Sequence, residues 1–138
     1  SIEASPAYID LVKEEIHKNN LAEIIDFKYG DFTAIALDVD SADIVTLDKV
    51  ICCYDDMSEL VRLSSKLSRK IYAVIYPRDV WWTKLALPFI NFYPIIKGSP
   101  FRVFIHTTKK VEEIIIRNGL KRDFYTTTLF WQVAIFTK

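Results

Sequence analysis

The chain has 138 residues, of which 51% are hydrophobic and 14% aromatic, so it is long and apolar enough to bury the core of one domain. Its 18 basic and 18 acidic residues cancel, which argues against partners that are recognised by strong positive charge, namely nucleic acids and anionic membranes. No apolar run approaches the roughly 18 residues that span a bilayer. Two adjacent cysteines, Cys52 and Cys53, cannot form a disulfide scaffold, so we expect a cytoplasmic protein.

The N-terminal segment predicts a helix followed by a short strand. Ser5 is a residue type that caps helices, and Pro6 suits the first helical position, where its missing N–H costs nothing. Asn19-Asn20 predicts the end of this helix. The apolar run at residues 24–29 then predicts a strand.

The middle of the chain predicts a buried strand and a capped helix. Residues 44–47 are continuously apolar, a pattern typical of a strand that is buried on both faces. Asp56 and Glu59 resemble a capping box, in which the first side chain accepts a hydrogen bond from the first turn and the second reaches back. The helix that they open is predicted to run to Ser68.

The second half of the chain alternates strands and helices. The predicted elements are a strand at 71–76, a helix at 79–87 that Pro88 disturbs, an extended segment at 101–105, a helix at 108–118 with Gly119 as its cap, and two strands within 121–137. Apolar strands separated by helices predict an α/β layered sheet with a C-terminal antiparallel hairpin, in a single domain over residues 1–138.

Three acidic residues, Glu3, Asp31 and Asp48, each stand directly after or close to the end of an apolar run. In open parallel sheets, ligands bind at the carboxyl ends of the strands. One carboxylate at each of three strand ends suits ribose hydroxyls, an exocyclic amine and a cationic group. Acidic residues that only cap helices or lie in loops give the same pattern, so the residues alone leave both interpretations open.

Six short segments are spread along nearly the whole chain: residues 2–9, Gly30-Asp31-Phe32, Ala42–Asp48, residues 51–54 with Asp56-Met57, residues 76–79 with Trp81-Trp82, and residues 119–136. Together they resemble class I S-adenosylmethionine-dependent methyltransferases, in a prokaryotic branch of that family. The first three segments have the spacing of that fold's second, third and fourth strands, and the last resembles its closing antiparallel pair. The resemblance implies a Rossmann-like sheet and S-adenosylmethionine as cofactor.

The resemblance also implies roles for single residues. Glu3 matches the acidic residue that accepts hydrogen bonds from both ribose hydroxyls. Asp31 matches the residue that accepts from the adenine amine, and Phe32 flanks the adenine ring. Asp48 and Lys49 match the place where the fourth strand meets the methionine end and the substrate. The implied cofactor-binding residues are Glu3, Ala4, Asp31, Phe32, Asp48 and Lys49.

The chain departs from the family pattern at its start. The family has the strand order 3-2-1-4-5-7-6, and its first strand and glycine-rich turn should precede Glu3. Here Ser1-Ile2 stands before Glu3, and none of the three glycines lies in such a turn. We therefore expect a methyltransferase-like domain that is incomplete at its N-terminus, with exposed sheet edges that favour homo-oligomers.

Residues 81–93 form the most apolar segment, for which three interpretations compete. It packs against the sheet, forms a lid over an apolar acceptor, or lies on lipid or a partner. The resemblance places it near the acceptor, which makes Tyr54, Arg78, Trp81 and Trp82 the candidate substrate-binding residues.

The remaining chemistry-bearing residues give weak signals. No nucleophile motif is present, so the catalytic residue stays unknown, and no His or Cys has the spacing of metal ligands. Cys52 and Cys53 fit small buried residues better than a reactive pair, and His106 fits a surface or structurally bonded residue better than a base. The hypothesis is methyl transfer to a small apolar or aromatic acceptor. The alternative is a non-catalytic module of the same fold that self-associates or binds a partner.

Overall fold

The computed structural model describes residues 1–99 and 101–138, which divide into two compact units, Ser1–Val39 and Asp40–Lys138. The first unit contains β1 (Ile2–Glu3), α1 (Pro6–Lys18), β2 (Lys28–Tyr29) and α2 (Phe32–Ile35). β1 and β2 form a two-stranded parallel sheet, with Glu3 opposite Tyr29.

The start of α1 follows the predicted signals in part. Pro6 is the first helical residue and Asn19 ends the helix, as predicted. The prediction that Ser5 caps the helix with its side chain is wrong, because that side chain makes no capping hydrogen bond. Instead the Ser5 backbone N–H donates to Glu3 Oε1 at 2.7 Å. The strand predicted at 24–29 is confined to Lys28–Tyr29.

The second unit holds the larger sheet. Its elements are β3 (Ala42–Asp48), α3 (Met57–Leu67), β4 (Ser68–Pro77), α4 (Trp81–Ile96), α5 (Thr108–Arg117), β5 (Lys121–Thr127) and β6 (Trp131–Thr137). The sheet order is β3-β4-β6-β5. β3 and β4 are parallel, whereas β6 is antiparallel to both of its neighbours. The predicted C-terminal antiparallel hairpin is therefore confirmed.

The strand orders agree with the resemblance. The family order begins with strands 3-2, which correspond to the β2-β1 pair, and ends with strands 4-5-7-6, which correspond to the order β3-β4-β6-β5. The mixed parallel and antiparallel pairing of the larger sheet is the pairing that the resemblance implies.

The core of the second unit lies on one face of its sheet. Alternate residues of β4 and β6 are fully buried there, while their neighbours on the other face are half-buried. α3 and α5 pack against each other on the core side and contact β4 and β5 respectively. The buried side chains include Leu60, Val61, Tyr72, Val74, Val111, Ile115, Ala134 and Phe136.

Local sequence signals predicted the start of α3 and the end of α5. Asp56 accepts from the Glu59 backbone N–H at 3.1 Å, so the predicted cap of α3 is confirmed. The second half of the predicted capping box is wrong, because the Glu59 carboxylate binds Arg62 at 2.6 Å instead. Gly119 has a φ of +84°, the left-handed conformation expected just after α5.

Three predicted elements differ in the structure. Residues 44–47 are not buried on both faces: Ile44 is 58% exposed, because β3 is the edge strand of its sheet. Residues 101–105 form no strand. α4 continues through Pro88 and Pro94 to Ile96 rather than being disturbed near Pro88. Within residues 1–99 and 101–138, no helix combines the length and apolarity needed to cross a bilayer.

Candidate functional site

Two of the predicted carboxylates lie at the carboxyl ends of neighbouring parallel strands. Glu3 is the last residue of β1 and is half-buried, and its carbonyl oxygen accepts from Gly30 N–H at 3.0 Å. Asp31 follows directly and caps α2, where its Oδ1 accepts from the backbone N–H and the hydroxyl of Thr33, both at 2.9 Å. Parallel pairing therefore brings the Glu3 and Asp31 side chains to one edge of the small sheet.

The residues at this edge suit the adenosine half of S-adenosylmethionine. Ribose hydroxyls and the adenine amine are hydrogen-bond donors, and carboxylates accept several hydrogen bonds at once. Glu3 and Asp31 supply the carboxylates, Ala4 is small and exposed, and Phe32 offers a half-buried aromatic ring. When bound, that cofactor supplies a methyl group already activated on a sulfonium. The chain's three glycines include no Gly-x-Gly turn for the methionine half.

Asp48 and Lys49 lie at the carboxyl end of β3 in the second unit. Asp48 is the last residue of the strand and is exposed. Lys49 has a φ of +58°, a left-handed conformation that turns the chain sharply, and its N–H donates to the Ile75 carbonyl at 2.9 Å. Its Nζ lies 5.4 Å from the centre of the Trp131 ring, a cation–π distance.

An apolar cavity of about 360 Å³ lies beside this turn, within the size range of small-molecule sites. Its walls come from the turn after β3, the end of β4, one side of α4, the segment after residue 100, and the β5–β6 turn. Of the described residues that line it, Lys49 alone is charged. The lining residues are Lys49, Cys52, Cys53, Pro77, Trp82, Thr83, Ala86, Leu87, Ile90, Phe101, Val103, Ile105, Phe130 and Trp131.

Long-range hydrogen bonds hold the walls in place. Asn91 of α4 binds both the N–H and the carbonyl of Val103, at 2.8 and 2.9 Å. The Phe104 N–H donates to the Cys52 carbonyl at 2.7 Å. Elsewhere in the lining, the Trp82 and Phe130 rings meet edge to face with their centres 5.2 Å apart. Backbone bonds and aromatic packing thus shape the cavity before any ligand binds.

The predicted substrate-binding residues occupy different positions. Trp82 lines the cavity, whereas Tyr54, Arg78 and Trp81 are not among its lining residues. Trp81 is 76% exposed on the outer side of α4. Arg78 donates to the Thr128 carbonyl at 3.2 Å, next to the β5–β6 turn. The Tyr54 carbonyl bonds His106 Nε2 at 3.0 Å, which confirms His106 as a structurally bonded histidine.

Most of the residues that line the cavity could not be predicted from the sequence. The sequence predicts an extended segment at 101–105 and a hairpin within 121–137, and it does not indicate that Phe101, Val103 or Ile105 lines a cavity with Phe130 and Trp131. The available signal was the apolar character of residues 101–105, in which Arg102 alone is polar, because such a run indicates a buried extended segment. It could not indicate that the segment packs beside α4, where Asn91 bonds Val103.

Cys52 and Cys53 lie side by side in the turn at Ile51–Cys53, with their Sγ atoms 3.7 Å apart. Cys52 is buried, as the sequence suggested, but Cys53 is exposed, so the same interpretation is wrong for Cys53. The hydrogen bond from the Cys52 thiol lowers the pKa of Cys53 to about 7. The same hydrogen bond, reinforced by burial, raises the pKa of Cys52 far above its ordinary value. Cys53 is therefore the thiol that ionises first.

We expect iodoacetamide to alkylate Cys53 with a rate that rises with pH and is half-maximal near pH 7, because the thiolate is the nucleophile. In a Cys52→Ala variant the hydrogen bond is lost, and the midpoint should move up towards the ordinary value of 9.0. Mass spectrometry of the alkylated peptide over a pH series measures both midpoints. Equal midpoints in the two proteins would show that Cys52 does not set the pKa of Cys53.

Metal chemistry finds little support in the described part of the chain. Over residues 1–99 and 101–138, no group of three or more His, Cys, Asp or Glu side chains is placed to hold a metal ion.

Comparison with solved structures shows methyltransferases at low sequence identity. An O-methyltransferase family protein from Burkholderia thailandensis is 14% identical with a TM-score of 0.76, over 99% of this chain and 42% of that chain. Magnesium protoporphyrin IX methyltransferase from Synechocystis PCC 6803, solved with bound S-adenosylmethionine, is 11% identical with a TM-score of 0.68, over 99% and 57%. An O-methyltransferase family 2 protein from Planctomyces limnophilus DSM 3776, in complex with apigenin, is 15% identical with a TM-score of 0.68, over 99% and 41%.

Sequence comparison adds no closer relative. No protein-family model matches the chain, and no curated protein is similar enough in sequence to count as a match. The chain spans between 41% and 57% of the length of the three solved structures named above. At these identities the likeness shows the fold. The chain has the Rossmann-like α/β fold of class I S-adenosylmethionine-dependent methyltransferases.

Proposed function

We propose that the chain is part of an S-adenosylmethionine-dependent methyltransferase that acts on a small apolar or aromatic acceptor. The observation that carries this proposal is the apolar cavity at the carboxyl ends of β3 and β4 in a methyltransferase fold. Ligands of open α/β sheets bind at this end of the strands. Methyl transfer needs the acceptor held in line with the activated methyl group, and a preformed cavity provides such positioning.

The character of the cavity defines the acceptor further. Trp82, Phe130 and Trp131 supply aromatic walls, which suit a flat ring. Lys49 places a positive charge at this lining, which favours an acceptor whose oxygen carries negative charge over a cationic amine. One solved relative by fold is a complex with apigenin, an aromatic compound. We therefore place phenol-like acceptors first among small molecules.

Within this proposal Glu3 and Asp31 bind the ribose and the adenine amine, with Ala4 and Phe32 beside them. Asp48 and Lys49 take the roles at the methionine end and the acceptor that the family resemblance gives them. Trp82, which lines the cavity, is the proposed contact of the acceptor ring, and Tyr54, Arg78 and Trp81 are proposed to contact parts of the substrate that lie outside the cavity. Cytoplasm is the compartment that we propose for this activity.

A second candidate is a non-catalytic module of the same fold that self-associates. The observation that favours it is the β3 edge, which among the described residues pairs only with β4 and leaves Ile44 58% exposed. Unpaired strand edges are sites where another copy can add a strand. This candidate predicts no affinity for S-adenosylhomocysteine.

Calorimetry with S-adenosylhomocysteine tests the proposed function. Micromolar binding by this chain would support the methyltransferase, and a Glu3→Ala variant should then lose about 1.5–3 kcal/mol, the usual range for hydrogen bonds to a charged group. That loss corresponds to about a tenfold to 150-fold weaker affinity. Glu3→Gln keeps an acceptor for the Ser5 N–H, so it separates a binding role from a role in starting α1.

The matched control is Glu14→Ala, which removes an exposed carboxylate from α1 in the same unit and should leave the affinity unchanged. An unchanged affinity in Glu3→Ala would contradict the role of Glu3. Absence of binding at millimolar ligand by the unmodified chain, and also by a chain extended with an upstream segment, would favour the non-catalytic candidate, whereas binding restored by that segment would show that the cofactor site needs it.

A further inference from the structure

The two adjacent thiols form a feature that methyl transfer does not use. Cys52 and Cys53 both line the apolar cavity, and their Sγ atoms are 3.7 Å apart. The sulfur atoms also share a backbone acceptor, the Lys49 carbonyl, at 3.2 and 3.6 Å. The turn at Ile51–Cys53 thus holds both sulfur atoms on the same side of the backbone, facing one space.

This pair differs from a site for a bare metal ion. Zinc in structural sites takes four protein ligands, and no third His, Cys, Asp or Glu joins these thiols among the residues that the structure describes. Two thiolates alone suit a soft, thiophilic atom whose remaining valence is already filled. The other walls of the cavity are almost wholly apolar, so an apolar group on that atom would be accommodated.

The two cysteines are also arranged for stepwise reaction. Cys53 is exposed and can be reached from solvent, whereas Cys52 is buried behind it. The lowered pKa of Cys53, about 7, provides a thiolate at neutral pH. Cys52 keeps its proton, and its Sγ lies 3.7 Å from the Cys53 Sγ, which attacks first.

We propose that Cys52 and Cys53 form a vicinal dithiol site that binds trivalent arsenic carrying one aryl group, with the aryl group in the apolar cavity. The reaction is a ligand exchange. Two As–S bonds form, two As–OH bonds of the hydrated aryl arsenic oxide break, and each thiol proton leaves with a hydroxyl as water. Arsenic stays trivalent, so no oxidant or reductant is needed. The bound aryl group occupies the space in which an apolar acceptor would lie.

Phenylarsine oxide and the full chain provide the test, read by intact mass spectrometry and by competition. We expect one adduct per chain that withstands excess mercaptoethanol and is released by dimercaptopropanol, because only a dithiol competes with a chelate. A Cys53→Ser variant should bind at least about 100-fold more weakly, since the second bond of a chelate forms at high effective concentration. Cys53 is exposed, so this variant should keep the fold, which circular dichroism checks.

Cys52→Ser provides the second arm and should weaken binding to the same extent. Wild-type affinity in either variant, or release of the adduct by mercaptoethanol, would overturn the dithiol site.

Arsenite, which has no aryl group, tests whether the cavity holds the aryl group. It should bind at least about tenfold more weakly than phenylarsine oxide, because it buries no apolar surface. Equal affinities would overturn the placement of the aryl group. These results do not depend on S-adenosylmethionine, so they stand or fall separately from the proposed function.

Discussion

An Ala86→Glu variant is expected to lose binding of an apolar aromatic probe such as naphthol by at least about 100-fold. Ala86 lies on the side of α4 that lines the cavity. A carboxylate there either draws water into an apolar space or pairs with Lys49 across it, and both outcomes remove the surface that holds the probe. Quenching of tryptophan fluorescence measures the binding, because Trp82 and Trp131 both line the cavity.

The preceding residue of the helix provides the matched control. Leu85 is 64% exposed and does not line the cavity, so Leu85→Glu adds the same charge to the same helix on its outer side. We expect this variant to bind the probe as the unmodified chain does. Equal losses in the two variants would show that the probe binds the exposed outer surface of α4 rather than the cavity.

The helix ends and the strand order could be predicted because they depend on local chemistry or on the family pattern. Pro6, Asp56 and Gly119 each act within one turn of a helix, and all three stand where the sequence placed them. The exposure of β3 could not be predicted in this way. An apolar run such as residues 44–47 indicates a strand that would be stable when buried. Whether it is buried depends on which other elements of the fold cover it.

α4 shows how packing overrides a local signal. Proline inside a helix removes one hydrogen bond and crowds the preceding turn, so Pro88 predicts a disturbance. The helix nevertheless continues, with Thr83 buried before the proline and Asn91 bonded to Val103 after it. Contacts on both sides of Pro88 hold the helix together, and such contacts are not visible in a local pattern.

The same distinction between local and long-range contacts applies to the candidate site. Glu3 and Asp31 could be predicted as neighbours, since the ends of adjacent parallel strands meet at one edge. The cavity could not, because its walls meet through pairs far apart in sequence. The Arg78 N–H donates to the Phe130 carbonyl, and Asn91 bonds Val103, so residues from distant segments come together only in the folded chain.

Removing the fully buried phenylalanine ring of β6 should cost the second unit much of its stability. Phe136 of β6 is fully buried, opposite Tyr72 of β4. A Phe136→Ala variant loses the burial of an aromatic ring and leaves a cavity between the sheet and its helices. We expect the free energy of unfolding to fall by about 3–5 kcal/mol, as for other buried Phe-to-Ala exchanges. Urea denaturation followed by circular dichroism measures this change.

Phe124 on the neighbouring strand β5 separates burial from strand preference. It is 48% exposed, so Phe124→Ala removes the same atoms from a strand of the same sheet without opening a buried cavity. Its loss should stay below about 1 kcal/mol, the span of strand preferences. If both variants lost the same stability, the core would not lie on the face that Phe136 shares with Tyr72. The ends of β4 and β6 of this same sheet wall the cavity. Phe136→Ala should therefore weaken naphthol binding only at urea concentrations at which the unit unfolds. At urea concentrations below the denaturation midpoint, the variant should bind naphthol as the unmodified chain does.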